Sequence, residues 1–507
     1  MYKKHFKYEE LEVELVITKT NYEEKDGILF FGSPLFDKKH HDTFHDLLAH
    51  TKGSFFAIDI QPNEIKLAVD YFGGVRIYYG FVDKKHFFSD SYKVVLEKIK
   101  DNKISFNNDL FEYWKRMRYT LSDSTFYNEI KKIAPAEVIS ISNEVKTDNY
   151  YKEFTKIKSS KRLFKKAIYE DLIDTMNKVR DLKKQVFMFF SGGVDSVLLA
   201  LMLQKSNIDF KAVFILYKPF IEVNYKDYLR AQRISKLLGI ELEIVEADYD
   251  ISKKEIKDVL INDIIDNLLF DRHSAFANYN AFKCIKAKYG DDIIIVNGQG
   301  SDSIISYGPS SLKKLSRARI SLYYPYSVVN KLGCYLTRKW TGRNFRVPKN
   351  RDEYLTAFIY NHVYHMFIDR KIDYSFLKSF KEKMLKGLSD IENMRLKLKI
   401  NTHIQGADNQ VVVSLAHTEG LSVILPYCTI QYCEACLSYK NNFYETFKSK
   451  YVLYSLLDDL KKGIIKEIFK KDYPTDIEFH NYNHIQENIQ NVYFEEIERL
   501  NSEYGVQ

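Results

Sequence analysis

Hydrophobic and polar positions follow two regimes along the 507 residues. To about residue 155 the pattern is that of strands, with alternating or wholly apolar runs at Leu11–Ile17, Ser54–Ile60 and Ile65–Val69 and turns at Gly53, Gly73-Gly74 and Gly80. The lysine-rich connector Lys156-Ile157-Lys158-Ser159-Ser160-Lys161 ends that pattern and is the best domain boundary. An amphipathic helix follows, with Leu163, Ile168, Leu172 and Met176 on one side. The order then becomes strand (186–190), helix (197–204), strand (210–216), helix (about 226–238), strand (242–245), helices (about 253–288) and strand (293–296). This alternation predicts a doubly wound parallel sheet, whose ligands sit beyond the carboxyl ends of its strands. Beyond about residue 310 the pattern is helical and rich in Tyr, Lys and Leu. The chain thus reads as an α/β protein of two domains, 1–155 and 156–507.

Composition narrows this only slightly. A chain of this length exceeds one ordinary core. Its 45% hydrophobic and 28% charged residues are those of a globular protein. Seventy-six Lys+Arg against 68 Asp+Glu leave +8, too little over this length to argue for nucleic acid. Met1-Tyr2-Lys3-Lys4-His5 leads into charged residues without an apolar segment, so a soluble, cytoplasmic protein with no membrane partner is expected. Five cysteines make no disulfide framework. Cys428, Cys433 and Cys436 lack a fourth ligand for an iron–sulfur cluster, and 431–437 reads as a helix with Cys on its apolar side. His40-His41 and His45 read as surface histidines, because no carboxylate or Cys stands at ligand spacing from them.

The chemistry concentrates at Ser191-Gly192-Gly193-Val194-Asp195-Ser196, between an apolar strand and an apolar helix. The glycines let the backbone approach an anion, the N–H groups at the helix start point at it, and the serine hydroxyls add donors. Asp195 would repel a phosphate unless Mg²⁺ bridges the two. The plain alternative is a Gly-Gly turn with a Ser/Asp helix cap. No lysine follows the glycines, so this is not a Walker A loop. A second Gly-rich turn, Asn297-Gly298-Gln299-Gly300-Ser301-Asp302-Ser303, follows the strand 293–296. In a parallel sheet it opens at the same edge, which would bring Asp302 and Asp195 to one phosphate-bound metal.

The first loop resembles the PP-loop of the ATP pyrophosphatases, which cleave ATP to AMP and pyrophosphate. Both loops together resemble the synthetase domain of the asparagine synthetase family. The resemblance extends through Ser54–Ile58, Asp70–Tyr79, Phe88-Ser89-Asp90, Ser124–Pro135, Gly406–Gln410 and Leu425-Pro426-Tyr427, in order. It implies an N-terminal glutaminase-like, Ntn-type αββα sandwich before the parallel-sheet PP-loop domain with its helical C-terminal part. It also implies ATP and Mg²⁺ as cofactors. Residue by residue, it makes Ser191, Gly192, Gly193 and Ser196 the pyrophosphate cradle, Asp195 and Asp302 the metal carboxylates, and Phe190, Ile215, Asn297 and Gly298 nucleotide contacts, with Gly300 in the same ATP site. The family's late lysine would fall at Lys470 or Lys471.

The departures are informative. Glutamine-using members place a Cys directly after the initiator Met, whereas position 2 here is Tyr and no Cys precedes Cys284. Gln299 and Ser303 replace two carboxylates of the family's Gly-Glu-Gly-x-Asp-Glu, at a place where β-lactam synthetase has a Tyr and lasso-peptide cyclases typically a His. Ile424 and Thr429 stand where asparagine synthetase has an Arg and an Asp. This combination resembles the branch of β-lactam synthetase and the lasso-peptide macrolactam synthetases. It implies adenylation of a carboxylate and its union with an amine on the same substrate, a precursor peptide served by a peptidase being one candidate, with Gln299 near the chemistry. The alternatives are an ammonia-dependent asparagine synthetase or an amidating enzyme on another small acid, a tRNA-modifying enzyme, and a non-catalytic ATP-binding scaffold.

Overall fold

The computed structural model describes residues 1–8, 11–18, 22–102, 104–117, 119–156, 159–218, 224–248, 273–305, 375–439, 450–470 and 483–503, with isolated positions at 352, 355, 356 and 359. Its strands form three sheets. The first runs β1 (Tyr2–Tyr8), β2 (Leu11–Ile17), β8 (Lys85–Ser89), β7 (Tyr78–Val82), β9 (Ile130–Lys132). The second is wholly antiparallel and runs β11 (Val145–Asn149), β10 (Glu137–Ile141), β6 (Glu64–Val69), β5 (Lys52–Gln61), β4 (Ile28–Leu35), β3 (Tyr22–Lys25). They close on one apolar layer that includes Val13, Leu15 and Phe88 of the first and Phe56, Ile58 and Leu67 of the second. Phe55 and Ala57 alternate with these onto the opposite face of β5 and join the larger core. With both faces covered, β5 reads in sequence as a continuous apolar run.

The third sheet is parallel throughout: β14 (Leu242–Asp248), β13 (Phe210–Lys218), β12 (Gln185–Phe189), β15 (Ile293–Val296), β16 (Ser422–Ile424). The chain starts at β12, winds outward through β13 and β14, then returns to the other side of β12 with β15. The strand order therefore reverses between β12 and β15, and a crevice opens there at the carboxyl ends. After the helices of the N-terminal part, α1 (Phe44–His50), α2 (Tyr92–Ile99) and α3 (Asn108–Met117), α4 (Lys161–Asp181), α5 (Val194–Lys205) and α6 (Tyr225–Leu238) precede and connect the strands of this sheet. The helix expected over 253–288 is described from His273 to Tyr289, and the remainder of that expectation lies outside the described residues.

Ser160 caps α4 at the expected boundary, its Oγ accepting from the Leu163 N–H at 3.3 Å. The buried stripe of α4 is Phe164, Ile168, Leu172, Met176 and Val179. Leu163, expected on that stripe, is instead 55% exposed, because five residues before Ile168 is most of half a turn out of phase. The segment Gly406–Gln410, expected in a helical part, lies in wide π-type turns, Ile400–Asp408 and Gln410–Ser414. Of the three histidines read as surface groups, His40 is exposed near Asp26 and His45 is half-buried near Asp148. His41 departs: it is buried between Asp37 and Asp46, because the turn into α1 (Phe44–His50) folds residues four before and five after onto one ring. No helix among the described residues is long and apolar enough to cross a membrane.

Candidate active site

The loop between β12 and α5 begins with Phe190, whose main-chain N–H bonds to Val213 of β13 at 2.8 Å and whose ring is buried. Gly192 takes φ +66, and a Cβ there would sit 2.9 Å from the main chain of Ala231 on α6. That close approach requires glycine and seats the loop against α6. Gly193 caps α5 without a side-chain bond, so no cap side chain occupies the positive end of the helix dipole, where an anion could be held. Ser191 Oγ accepts from the Gly193 N–H at 3.3 Å and lies 3.4 Å from Ser196 Oγ, which donates to the Gly193 carbonyl at 3.1 Å. Two hydroxyls and a bare helix start thus share one small surface.

The second loop closes the other wall. Asn297 Oδ1 accepts from the Gln299 N–H at 2.8 Å, and the Asn297 N–H bonds to Ile424 of β16 at 3.0 Å. Gly298 lies against Asp195, where a Cβ would come within 3.4 Å of the Asp195 Cβ. Gly300 takes φ +89 with the Cys428 thiol behind it, 2.4 Å from where a Cβ would stand. Ser301 Oγ donates to Asp195 Oδ1 at 2.7 Å. The two Gly-rich turns, 106 residues apart, therefore meet at one carboxylate.

Asp302 reaches the same place through a residue that sequence reasoning missed. The Lys450 ammonium bridges Asp195 and Asp302, lying 2.9 Å from Asp302 Oδ2. Its side chain is only 12% exposed. Burial works against its charge, but Asp195 and Asp302 together outweigh that and raise its pKa above the ordinary lysine value. Tyr427, also buried, donates to the Asp195 carbonyl at 2.9 Å and fixes the first turn of α5. Arg230 of α6 donates from Nε to the Ser191 carbonyl at 3.2 Å and pairs with Asp227 at 2.6 Å, which sets a guanidinium on the rim of the first loop. Neither Lys450 nor Arg230 belongs to a linear motif; only the fold brings them here.

Ser191, Gly192, Gly193, Asp195, Ser196, Asn297, Gly298, Gly300 and Asp302 are thus brought together. Gln299 is half-buried on the same turn. Ile215 is half-buried near the end of β13, its carbonyl accepting from Asn224 at 2.6 Å. Lys470 is exposed beside α6, its carbonyl accepting from Arg233 at 3.4 Å, and Lys471 lies outside the described residues. Thr429 is buried, caps the helix Ile430–Ser438 and donates to Asp171 of α4 at 2.7 Å. Cys433 is buried in that helix.

A family model, asparagine synthase, matches residues 168–493, well over half of the chain. No curated protein matches it. Among solved structures the chain is similar to an NH3-dependent NAD synthetase from Campylobacter jejuni, at 19% identity over 44% of this chain and 94% of that one with a TM-score of 0.22. A second is an NMN synthetase from Francisella tularensis, at 13% identity over 49% and 97% with a TM-score of 0.22.

Proposed function

Because this chain belongs to the asparagine synthase family, and is thereby an ATP-dependent carbon–nitrogen ligase, we propose that it adenylates a substrate carboxylate and joins it to an amine carried by the same substrate. The observation that carries the adenylation half is the meeting of both Gly-rich turns at Asp195, with Asp302 and Lys450 beside it. A carboxylate oxygen of the substrate attacks the α-phosphorus of ATP, and the bond to the β-phosphate oxygen breaks, releasing pyrophosphate. The amine nitrogen then attacks the acyl carbon, AMP leaves, and the nitrogen loses a proton. The net organic change is loss of one water.

The residues have distinct tasks in this reading. The N–H groups at the start of α5 and the hydroxyls of Ser191 and Ser196 hold the leaving pyrophosphate in place as its charge develops. Lys450 and Arg230 add positive charge on either side of it. Asp195 and Asp302 would hold Mg²⁺: they are hard oxygen donors from the first turns of two helices, and the Lys450 ammonium between them marks the pair as a cation seat. When bound with ATP, Mg²⁺ would supply further charge neutralisation on the phosphates.

The amine half rests on the N-terminal part, which we read as a degenerate glutaminase-like domain ahead of a synthetase domain starting near residue 156. Tyr2 lies in β1 with its ring against Phe31 at 5.5 Å, which supports an aromatic packing role where glutamine-using relatives have a nucleophilic Cys. A lasso-peptide-like precursor fits this reading. A tethered amine also tolerates the neutral Gln299, since aligned intramolecular reactions reach effective molarities of about 10⁵ M or more. Candidate substrates incubated with the enzyme and ATP should release pyrophosphate and AMP, and the product should weigh one water less than a single substrate molecule. Release of ADP and phosphate would refute the adenylation half. Efficient formation of a primary amide from a small acid and ammonium would replace the tethered amine by free ammonia. Asp195→Ala and Asp302→Ala should each lower the rate by roughly 10²-fold or more.

A further inference from the structure

Away from that site, the N-terminal part gathers side chains of metal-binding type around α1. His41 has a side chain only 4% exposed and stands between two carboxylates. Its Nε2 lies 2.9 Å from Asp37 Oδ1 and its Nδ1 lies 2.7 Å from Asp46 Oδ2. Asp46 and His50 are one turn apart on α1 and so share a face. His50 Nδ1 is 3.2 Å from Asp46 Oδ1, and the His50 ring stacks on that of His41 at 4.9 Å. Thr43 caps α1 by accepting from the Asp46 N–H at 3.1 Å, which fixes where that carboxylate starts. Donor atoms of His41, Asp46 and His50 all lie within 4.8 Å of one another.

Three features set this group apart from an ordinary ion pair. The two nitrogens of His41 have different partners. A carboxylate on Nε2, such as Asp37, is the arrangement that holds a ligating histidine in one tautomer and leaves Nδ1 for a metal. His50 Nδ1 donates to the Asp46 main-chain carbonyl at 2.9 Å, a second arrangement of this kind, which fixes that ring's tautomer and leaves its Nε2 for a metal. The group also has access to solvent: His50 and Asp37 line a cavity of about 670 Å³ between α1, α4 and the helix Ile430–Ser438.

We propose that His41, His50 and Asp46 bind a first-row divalent transition metal of the zinc type, with Asp37 orienting His41 and a fourth ligand entering from the cavity. Two imidazoles and one carboxylate form a borderline nitrogen and oxygen set that favours such ions over Mg²⁺ or Ca²⁺. His50 and Asp46 are about half exposed, so the ion exchanges with solvent. The site is independent of the adenylation reading, since none of its residues belongs to that machinery.

The test uses the full chain, stripped of metal by a chelator and titrated with Co²⁺ as a visible probe. One equivalent should bind with the visible absorption of a four- or five-coordinate ion, and Zn²⁺ should displace it. His50→Ala, at an exposed position, and His41→Ala should abolish the band without changing the pyrophosphate-release rate. Asp37→Asn should keep the one-to-one stoichiometry but weaken Co²⁺ binding by about 10–100-fold, as expected of a residue acting through its neighbour. Two results overturn the proposal: folded wild-type protein that takes up no stoichiometric Co²⁺ or Zn²⁺, the cluster then being only an imidazolium between carboxylates, or a band that survives in a folded His50→Ala protein.

Discussion

Replacing Lys450 by Met removes the ammonium that bridges Asp195 and Asp302 while keeping a stem of similar length. At 2.9 Å and an effective dielectric of about 20, the attraction between the ammonium and the Asp302 carboxylate is about 6 kcal/mol before desolvation. Asp302 is 54% exposed, so solvent screens a large part of this. Asp195 is better shielded, at 20%, and retains more. A net loss of about 3 kcal/mol is the scale found when one preorganised electrostatic stabiliser is removed, which corresponds to roughly 10²-fold in rate. Steady-state pyrophosphate release at saturating ATP should fall by that factor, whereas the apparent Mg²⁺ requirement should not rise, because a cation competing for the same two carboxylates has gone. Lys450→Arg should recover part of the rate. A folded Lys450→Met enzyme with an unchanged rate at saturating MgATP would refute the placement of this lysine on the reacting phosphates.

Three further outcomes follow from other contacts. Lys52 of β5 is buried against Asp171 at 2.6 Å and Asp174 at 2.7 Å on α4, so Lys52→Ala should cost about 3–5 kcal/mol in chemical denaturation and Asp171→Asn should relieve part of it. Gly300→Ala forces a Cβ toward the Cys428 thiol at a positive φ, so it should lower thermal stability by about 1–3 kcal/mol, with partial relief from Cys428→Ala. An equal melt for Gly300→Ala and wild type would contradict the described turn. Purified protein should not convert glutamine to glutamate, and a glutamine-directed covalent inhibitor should leave residues 1–155 unlabelled, which peptide mass spectrometry reads directly.

Much of the parallel sheet was legible in the sequence. Strands expected at 186–190, 210–216, 242–245 and 293–296 occur at Gln185–Phe189, Phe210–Lys218, Leu242–Asp248 and Ile293–Val296. They are legible because strands covered on both faces are largely apolar, most fully in Gln185–Phe189 and Ile293–Val296, each of which runs into a Gly-rich turn. β16 was not: three residues, Ser422–Ile424, carry too little pattern to mark a strand, and only pairing with β15 makes them one. The same limit explains Leu163, whose side depends on which face of α4 the rest of the molecule covers.

Within the site, the sequence alone determined the parts whose chemistry is local: a backbone that must come close to an anion, hydroxyls beside it, and a carboxylate on the first turn of a helix. Each of those needs particular residue types at adjacent positions, so it leaves a motif. Tertiary structure decided everything that depends on convergence from afar. Lys450 is 255 residues from Asp195, Tyr427 is 232 away, and Lys52 meets Asp171 across 119. His41 takes its carboxylates from four residues before and five after. A lone lysine, tyrosine or histidine has no periodicity to betray it. Its partner is chosen by how strands and turns pack, since a buried charge or hydroxyl must be met by whichever group the fold brings within hydrogen-bond distance.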